Sequence, residues 1–148
     1  MNPVDVRVAT QDDVRFVAST WFRAVLESGA ALNQLPFAVV RDGLDSHIKR
    51  LLAKSTTRVA FATDTPDEIL GYVVLEQTRD WTPRTPGEGF TRQPVDTCHH
   101  TYVKKLYRRQ GIARSLIGAV KTYTHPATPG SGKLFATALG LTYNPRLA

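Results

Sequence analysis

Tyr102-Val103-Lys104-Lys105-Leu106-Tyr107-Arg108-Arg109-Gln110-Gly111-Ile112-Ala113-Arg114 is the stretch on which the reading of this sequence turns. Its first residues read as a strand. After Gly111, the spacing of Ala113, Leu116 and Ile117 predicts a helix from residue 112 to about residue 119. The two are joined by a basic turn that contains a glycine. The first amides of a helix have no partner within it, the helix dipole adds partial positive charge there, and glycine lets a ligand approach the backbone. Such a turn suits an anion, a phosphate above all. Arg108, Arg109 and Arg114 would add guanidinium groups whose geometry fits phosphate oxygens. A solvated basic loop ahead of a surface helix has the same composition, so the turn alone leaves both readings open.

The charge of the whole chain points the same way. Its 148 residues carry net charge +6, but the sum hides a split. Up to Asp96 there are 11 basic and 13 acidic residues, whereas from Thr97 onward there are 8 basic residues and no acid. One half resembles ordinary scaffold and the other is built to meet an anion. The length fits one globular domain over residues 1–148 with a core of its own. A single cysteine, Cys98, excludes an internal disulfide and a cysteine-based zinc cluster. The opening residues lack a basic stretch followed by an apolar block, and nowhere do about eighteen apolar residues run together. A soluble, cytoplasmic protein is therefore expected, in a bacterial or phage-infected cell, with no membrane partner.

Outward from the turn, Val4 to Ala9 alternates apolar and polar residues as a half-buried strand does. Thr10-Gln11-Asp12-Asp13 has capping-box spacing, a hydroxyl for the third amide and an acid to reach back. Behind it Val14, Val17, Ala18, Trp21, Phe22, Val25 and Leu26 form an apolar stripe at helical spacing, stopped by Gly29. A second helix is predicted over residues 42–54, with Leu44, Ile48, Leu51 and Leu52 buried. Residues 58–63 and 69–76 read as two strands around the turn Asp64-Thr65-Pro66-Asp67. Residues 77–96 contain Pro83, Pro86, Gly87, Gly89 and Pro94 without sustained periodicity. They read as a long loop, whose Trp81 and Phe90 are expected to cover an acceptor site. Strands are predicted at residues 97–106 and 120–124, and residues 134–139 form a short apolar segment. The order β, α, α, β, β, β, α, β, α predicts a mixed α/β domain around one sheet.

Val103, followed by Arg108, Gly111 and Ala113, resembles the acyl-CoA-binding motif of the GNAT acetyltransferase superfamily, whose loop reads Arg or Gln, two residues, Gly, one residue, Gly or Ala. The element order from Val4 to Ala119 resembles that family too. The resemblance implies a central, mixed, mostly antiparallel sheet flanked by helices, with a fourth strand that splays from the fifth to pair with pantetheine. It makes Val103 an acyl-contacting residue. Arg108, Arg109, Gln110, Gly111, Ile112 and Ala113 become a pyrophosphate cradle, with Arg114 beside it. Acetyl-CoA is then the donor and an amine the acceptor, attacked directly without an acyl-enzyme. Tyr-Val-Lys-Lys with Arg-Arg-Gln-Gly-Ile-Ala, Thr124-His125-Pro126 and Tyr143-Asn144-Pro145 also look like small phage and prophage members of the family.

The last third departs from the family pattern and implies a shortened C-terminal half. The expected tyrosine of a Tyr-x-x-Leu-Gly-Phe step is Ala136, so Tyr143 or His125 would have to protonate the leaving thiolate, unless water does. A base must deprotonate the acceptor ammonium, and histidine titrates in the right range. His99 and His100 are adjacent on a strand, which directs them to opposite faces so that only one meets a cleft; His100 shares its face with Tyr102. His125 would lie at the C-terminal end of a strand, where open α/β sheets place ligands. Glu76, at the end of a hairpin strand, is the carboxylate best placed to act as base; a solvated strand end is the competing reading. No histidine or carboxylate spacing supports a metal. Two further readings remain open: a DNA-binding or base-modifying protein using its basic half, and a CoA-binding domain without turnover. So does association of two copies.

Overall fold

The computed structural model of the chain describes residues 3–28, 36–118, 120, 122–123 and 142–143. In chain order these form β1 (Val4–Val8), α1 (Gln11–Ser28), α2 (Phe37–Lys54), β2 (Thr56–Ala62), β3 (Thr65–Pro83), β4 (Phe90–Val103), α3 (Ile112–Ile117), β5 (Thr122–Tyr123) and β6 (Thr142–Tyr143). The strands make one sheet in the order β1-β2-β3-β4-β5-β6. The first four are antiparallel, while β5 lies parallel to β4 and β6 parallel to β5. This is the mixed α/β domain around one sheet that the element order predicts, and the mostly antiparallel sheet that the family resemblance implies. Among the described residues, no helix is long and apolar enough to cross a membrane.

α1 starts where the capping signal lies, by different bonds. Asp13 reaches back as expected, its Oδ2 accepting the Thr10 amide at 2.7 Å. The Thr10 hydroxyl, however, donates to that same oxygen at 3.0 Å, and Arg7 joins it at 2.6 Å. The guanidinium draws the hydroxyl's acceptor into one buried knot. Arg7 is also the main reason the Asp13 carboxyl sits below the usual carboxylate range.

Several element boundaries differ from the sequence expectation. α2 begins at Phe37, just after Pro36, rather than at residue 42; Phe37 and Val39 are exposed, so its first turn lacks the apolar stripe that marks a helix in sequence. α3 stops at Ile117, followed by Gly118 at φ 61°. β5 comprises only residues 122–123, and β6 is a strand the sequence did not announce. The largest change concerns residues 77–96. They are not a loop but the outer part of a β3–β4 hairpin, paired in register from Gln77↔Asp96 to Pro83↔Phe90. Only residues 84–89 turn, with Gly87 and Gly89 at positive φ and Arg84 N–H bonded to the Gly89 carbonyl at 2.9 Å. This ribbon runs past the end of β2, whose pairing stops at Thr56↔Leu75. A strand pair without a core on either side needs no alternation, and edge positions tolerate proline.

The sheet is packed on both faces. Val17, Trp21, Ile48, Leu51, Val59, Tyr72 and Val74 form the core beneath α1 and α2. Ala60, Leu70, Val73, Cys98, Ile112, Leu116 and Ile117 form the core beneath α3. Trp21 is 1% exposed, and truncating so large a core side chain costs about 3–5 kcal/mol. β3 and β4 approach closely at Gly71, where a Cβ would stand 2.6 Å from the Tyr102 carbonyl oxygen. That spacing holds the register through which β4 carries its functional residues.

Candidate functional site

The basic turn at the end of β4 is built by its backbone. A single 3-10 turn, Lys105–Tyr107, leaves the strand. Arg109 then adopts φ 63° and Gly111 φ 81° before α3 begins. Two left-handed residues so close together fold the chain back sharply, and nothing lies within 4 Å of where a Gly111 Cβ would be. The space is open to a ligand. The first helical bond is Ser115 N–H to the Gly111 carbonyl at 3.0 Å, so the amides of Ile112 and Ala113 have no partner inside the helix.

The side chains of the expected cradle divide in two. Arg108, Arg109, Gln110 and Arg114 are exposed. Ile112 is a core residue at 3% exposure, so only its amide is available to a ligand. Val103 packs against the α3-side core and contributes its carbonyl, which accepts the Arg108 Nε–H at 2.8 Å. Gln110 Nε2 similarly donates to the Leu106 carbonyl at 3.4 Å. Arg108 therefore fastens the turn to the strand as well as adding charge to it.

Farther back along β4 the ladder slips. Val74 pairs with His100, but its neighbour Leu75 pairs with Cys98, leaving His99 as an inserted residue. A bulge of this kind breaks the two-residue alternation. His99 and His100 therefore do not point to opposite faces as strict alternation requires; both turn toward the side covered by α1 and α2. His100 is 1% exposed and lies flat on Trp21, ring centroids 5.0 Å apart, with Tyr72 at 5.7 Å. It does share a face with Tyr102. As a base it is badly placed, because it sits within the α1-side core instead of along an open cleft.

His99 is the residue brought to Glu76. Its Nε2 stands 2.6 Å from Glu76 Oε2, while Lys54 Nζ, from the last turn of α2, stands 3.5 Å from Oε1. The Glu76 side chain is 12% exposed and that of His99 wholly buried. Burial lowers the His99 pKa below the ordinary histidine value, with the Glu76 hydrogen bond opposing it. The neutral ring is thus favoured, and neutral histidine donating from Nε2 to a carboxylate accounts for the contact. Strict alternation sets His99 on the face opposite His100 and Tyr102, so the sequence does not single it out. The sequence carries no signal of the insertion: the odd spacing of Cys98 and Val103 demands one only once the structure places both in the α3-side core.

Cys98 is buried, and burial pushes its thiol up to about 12, so a thiolate nucleophile is not formed there. β5 pairs with β4 at Thr97 and Cys98 only, among the described residues. Its Tyr123 is in register with Tyr143 of β6, which puts the Tyr143 backbone two strands from Cys98, about 10 Å at usual strand spacing. His125 and Ala136 lie outside the described residues, as do residues 134–139 and the Asn144-Pro145 step.

The sequence matches the acetyltransferase (GNAT) family over residues 29–137. This chain belongs to that family. No curated protein matches it in sequence. Solved structures share the GNAT fold at low identity. A GCN5-related N-acetyltransferase from Ralstonia eutropha JMP134 superposes with TM-score 0.65 at 16% identity, covering 99% of this chain and 97% of that one. A ribosomal-protein-alanine N-acetyltransferase from Brucella melitensis biovar Abortus gives 0.54 at 18% identity, with 95% and 93% covered. The aminoglycoside N-acetyltransferase AAC(6')-Iy, solved in complex with CoA, gives 0.51 at 16% identity, with 96% and 90% covered. As a GNAT acetyltransferase the protein uses acetyl-CoA as acyl donor and an amine as acceptor.

Proposed function

We propose that this GNAT protein holds the donor pyrophosphate on residues 108–113, lays the pantetheine arm along β4, and deprotonates the acceptor amine with Glu76. The observation that carries this reading is the change of partner along β4. Beyond Cys98 the strand keeps β3 on one side and, among the described residues, has no β5 pairing on the other. Four residues separate Val103 from the bulge at His99, about 13 Å of strand, so a donor anchored at the turn brings its thioester toward Glu76. The open, left-handed turn at Gly111 fits a phosphate in close contact with backbone amides.

The thioester supplies an activated acyl carbon. Glu76 takes one proton from the acceptor ammonium, freeing the nitrogen lone pair to attack. The C–N bond forms and the C–S bond breaks, its electron pair leaving on sulfur. The second nitrogen proton passes to the thiolate through Tyr143 or water, and Glu76 returns its proton to solvent. Direct attack agrees with the buried, high-pKa Cys98. The named acceptors of the structural neighbours, a ribosomal-protein alanine and an aminoglycoside, are both amines, which supports an amine without choosing one. The Tyr-Val-Lys-Lys and Arg-Arg-Gln-Gly-Ile-Ala pattern supports a place among the small phage and prophage members, and a CoA thioester as donor supports a cytoplasmic site of action.

Calorimetric titration with acetyl-CoA should give saturable binding that weakens when Arg108 and Arg109 are replaced by alanine. Transfer to a panel of primary amines (free lysine, spermidine, kanamycin, an alanine-terminated peptide) should identify the acceptor class, and Glu76→Gln should then cost about 100-fold or more in kcat. Absence of heat with acetyl-CoA refutes the donor site, and an unimpaired Glu76→Gln refutes the base.

A further inference from the structure

Glu76 does not stand alone at the foot of the ribbon. The bulge spends an extra residue of β4, and that residue is a wholly buried histidine aimed at the carboxylate. A strand whose only task was to pack would place an apolar side chain there, as β3 does at Val74 and β4 at Cys98. Here the two oxygens of one carboxylate are held from two directions: Oε2 by His99 of β4 and Oε1 by Lys54 of α2. Other groups close by are uncharged or spoken for. Thr97, directly across from Glu76, bonds the Thr78 hydroxyl at 3.1 Å. Thr57 of β2 is buried opposite Val74. His47 of α2 lies 2.7 Å from Arg50, and burial, with the nearby Arg50, His99 and Lys54, holds its pKa below the ordinary histidine value. Asp96 is engaged by Gln77 at 3.4 Å, on the other face of the ribbon by strand alternation.

We infer that His99 is a positioning residue: its Nε2–H, together with Lys54, fixes Glu76 as an aimed carboxylate that takes the acceptor's proton. This deepens the assignment of Glu76 as base and rests on it. The array explains why the pair must be built from a carboxylate and a ring instead of two carboxylates, since the ring donates while remaining neutral and adds no charge that would compete for the incoming ammonium. His99 itself does not reach the acceptor. Its bond to Glu76 is made from the buried side, leaving the partly exposed carboxylate as the group that meets solvent and substrate.

The tautomer of His99 gives a direct test that needs no acceptor. The chain has four histidines, so ring-nitrogen NMR of the intact protein at neutral pH is assignable by substitution. A proton on His99 Nε2 is expected, and in Glu76→Gln the midpoint of the His99 titration should fall because its acceptor is lost. A bare Nε2 with the proton on Nδ1 would require Glu76 to be the donor in the 2.6 Å contact, and that result overturns the proposal. Kinetics supply the second arm. His99→Leu should lower kcat about ten-fold, a fraction of what the base itself contributes, move the acidic limb of the pH–rate profile, and leave the KM for acetyl-CoA within two-fold. His99→Gln, which keeps an N–H near the Nε2 position, should recover most of the rate and the original limb. Lys54→Met, at a half-exposed position that leaves the core untouched, should displace the same limb and keeps the test open where His99→Leu fails to fold. A His99→Leu enzyme with unchanged kcat and profile refutes the positioning role alone, whereas full activity in Glu76→Gln refutes the base assignment beneath it.

Discussion

Replacing Gly111 by alanine isolates the contribution of the turn's backbone to donor binding. The added Cβ has nothing within 4 Å to strike, so no packing change accompanies it, but residue 111 sits at φ 81°. An L-residue pays about 1–2 kcal/mol to hold the left-handed conformation. At 1.4 kcal/mol per factor of ten, that is roughly 5- to 30-fold in an equilibrium constant. How the cost divides depends on the free protein. Where the empty turn keeps its shape, unfolding free energy drops by the full amount and acetyl-CoA affinity is retained. Where the empty turn relaxes, stability is preserved and affinity falls instead. The sum is fixed, because the strained conformation must be present in the complex in either case, and ligand linkage makes it measurable. Urea unfolding of the free protein and calorimetric titration of acetyl-CoA, on wild type and Gly111→Ala, give the two parts. Arg109→Gly is the opposing control: its φ of 63° should make glycine stabilising in the free protein while removing a guanidinium from the anion's surroundings weakens binding. A Gly111→Ala protein whose two losses together fall below about 0.5 kcal/mol would show that the bound turn is not left-handed at residue 111, and the cradle geometry would be wrong.

Three further outcomes follow from the buried groups. Because Cys98 is enclosed with its thiol pushed up to about 12, a disulfide reagent should leave it unmodified until the protein unfolds, and Cys98→Ala should retain transfer within about two-fold; loss of activity in that variant would indicate an acyl-enzyme. Tyr72→Phe removes bonds from its hydroxyl to Thr20 Oγ1 at 2.6 Å and the Val17 carbonyl at 3.2 Å, which should cost about 1–2 kcal/mol in urea unfolding without altering acetyl-CoA affinity. His99 is held below the ordinary histidine value by burial, so the unfolded chain binds its proton first as pH falls. Its contribution to stability is complete above about pH 6.5 and declines as pH drops from there toward the folded value. Unfolding midpoints measured across that window should show the decline in wild type and a flatter course in His99→Gln.

The parts of the molecule legible in sequence are those where local chemistry and burial agree. Thr10 to Asp13 marks the start of α1 because a short polar side chain there has one structural use, and the stripe from Val17 to Trp21 faces a core that requires it. The turn at residues 108–113 is readable for a related reason: a glycine between arginines at a strand–helix junction leaves few alternatives. The ribbon formed by residues 77–83 and 90–96 was hidden because it projects past β2, so burial imposes no alternation on it and its prolines and glycines look like a loop. Only the turn Thr85-Pro86-Gly87-Glu88, with proline and then a left-handed glycine in its middle, carries a local signature.

The bulge is a different kind of omission, and it decides where the chemistry sits. Thr97-Cys98-His99-His100-Thr101 has the residue preferences of an uninterrupted strand, and inserting one residue changes none of them. What it changes is phase. Before the slip Cys98 and Leu75 are partners, after it His100 and Val74 are, and the residue between, His99, is freed from the ladder to turn toward Glu76. Were the same residues paired without the slip, His99 would stand opposite Val74 and every side chain beyond it would reverse faces: Tyr102 would leave its stack with Tyr72 and Val103 would leave the α3-side core. The turn that follows Val103 would then be presented from the wrong side of the sheet. The insertion therefore links two ends of one strand. It delivers a histidine to the carboxylate at one end and sets the face from which the basic turn departs at the other, so the proton acceptor and the donor cradle are in register with each other through the pleat of β4.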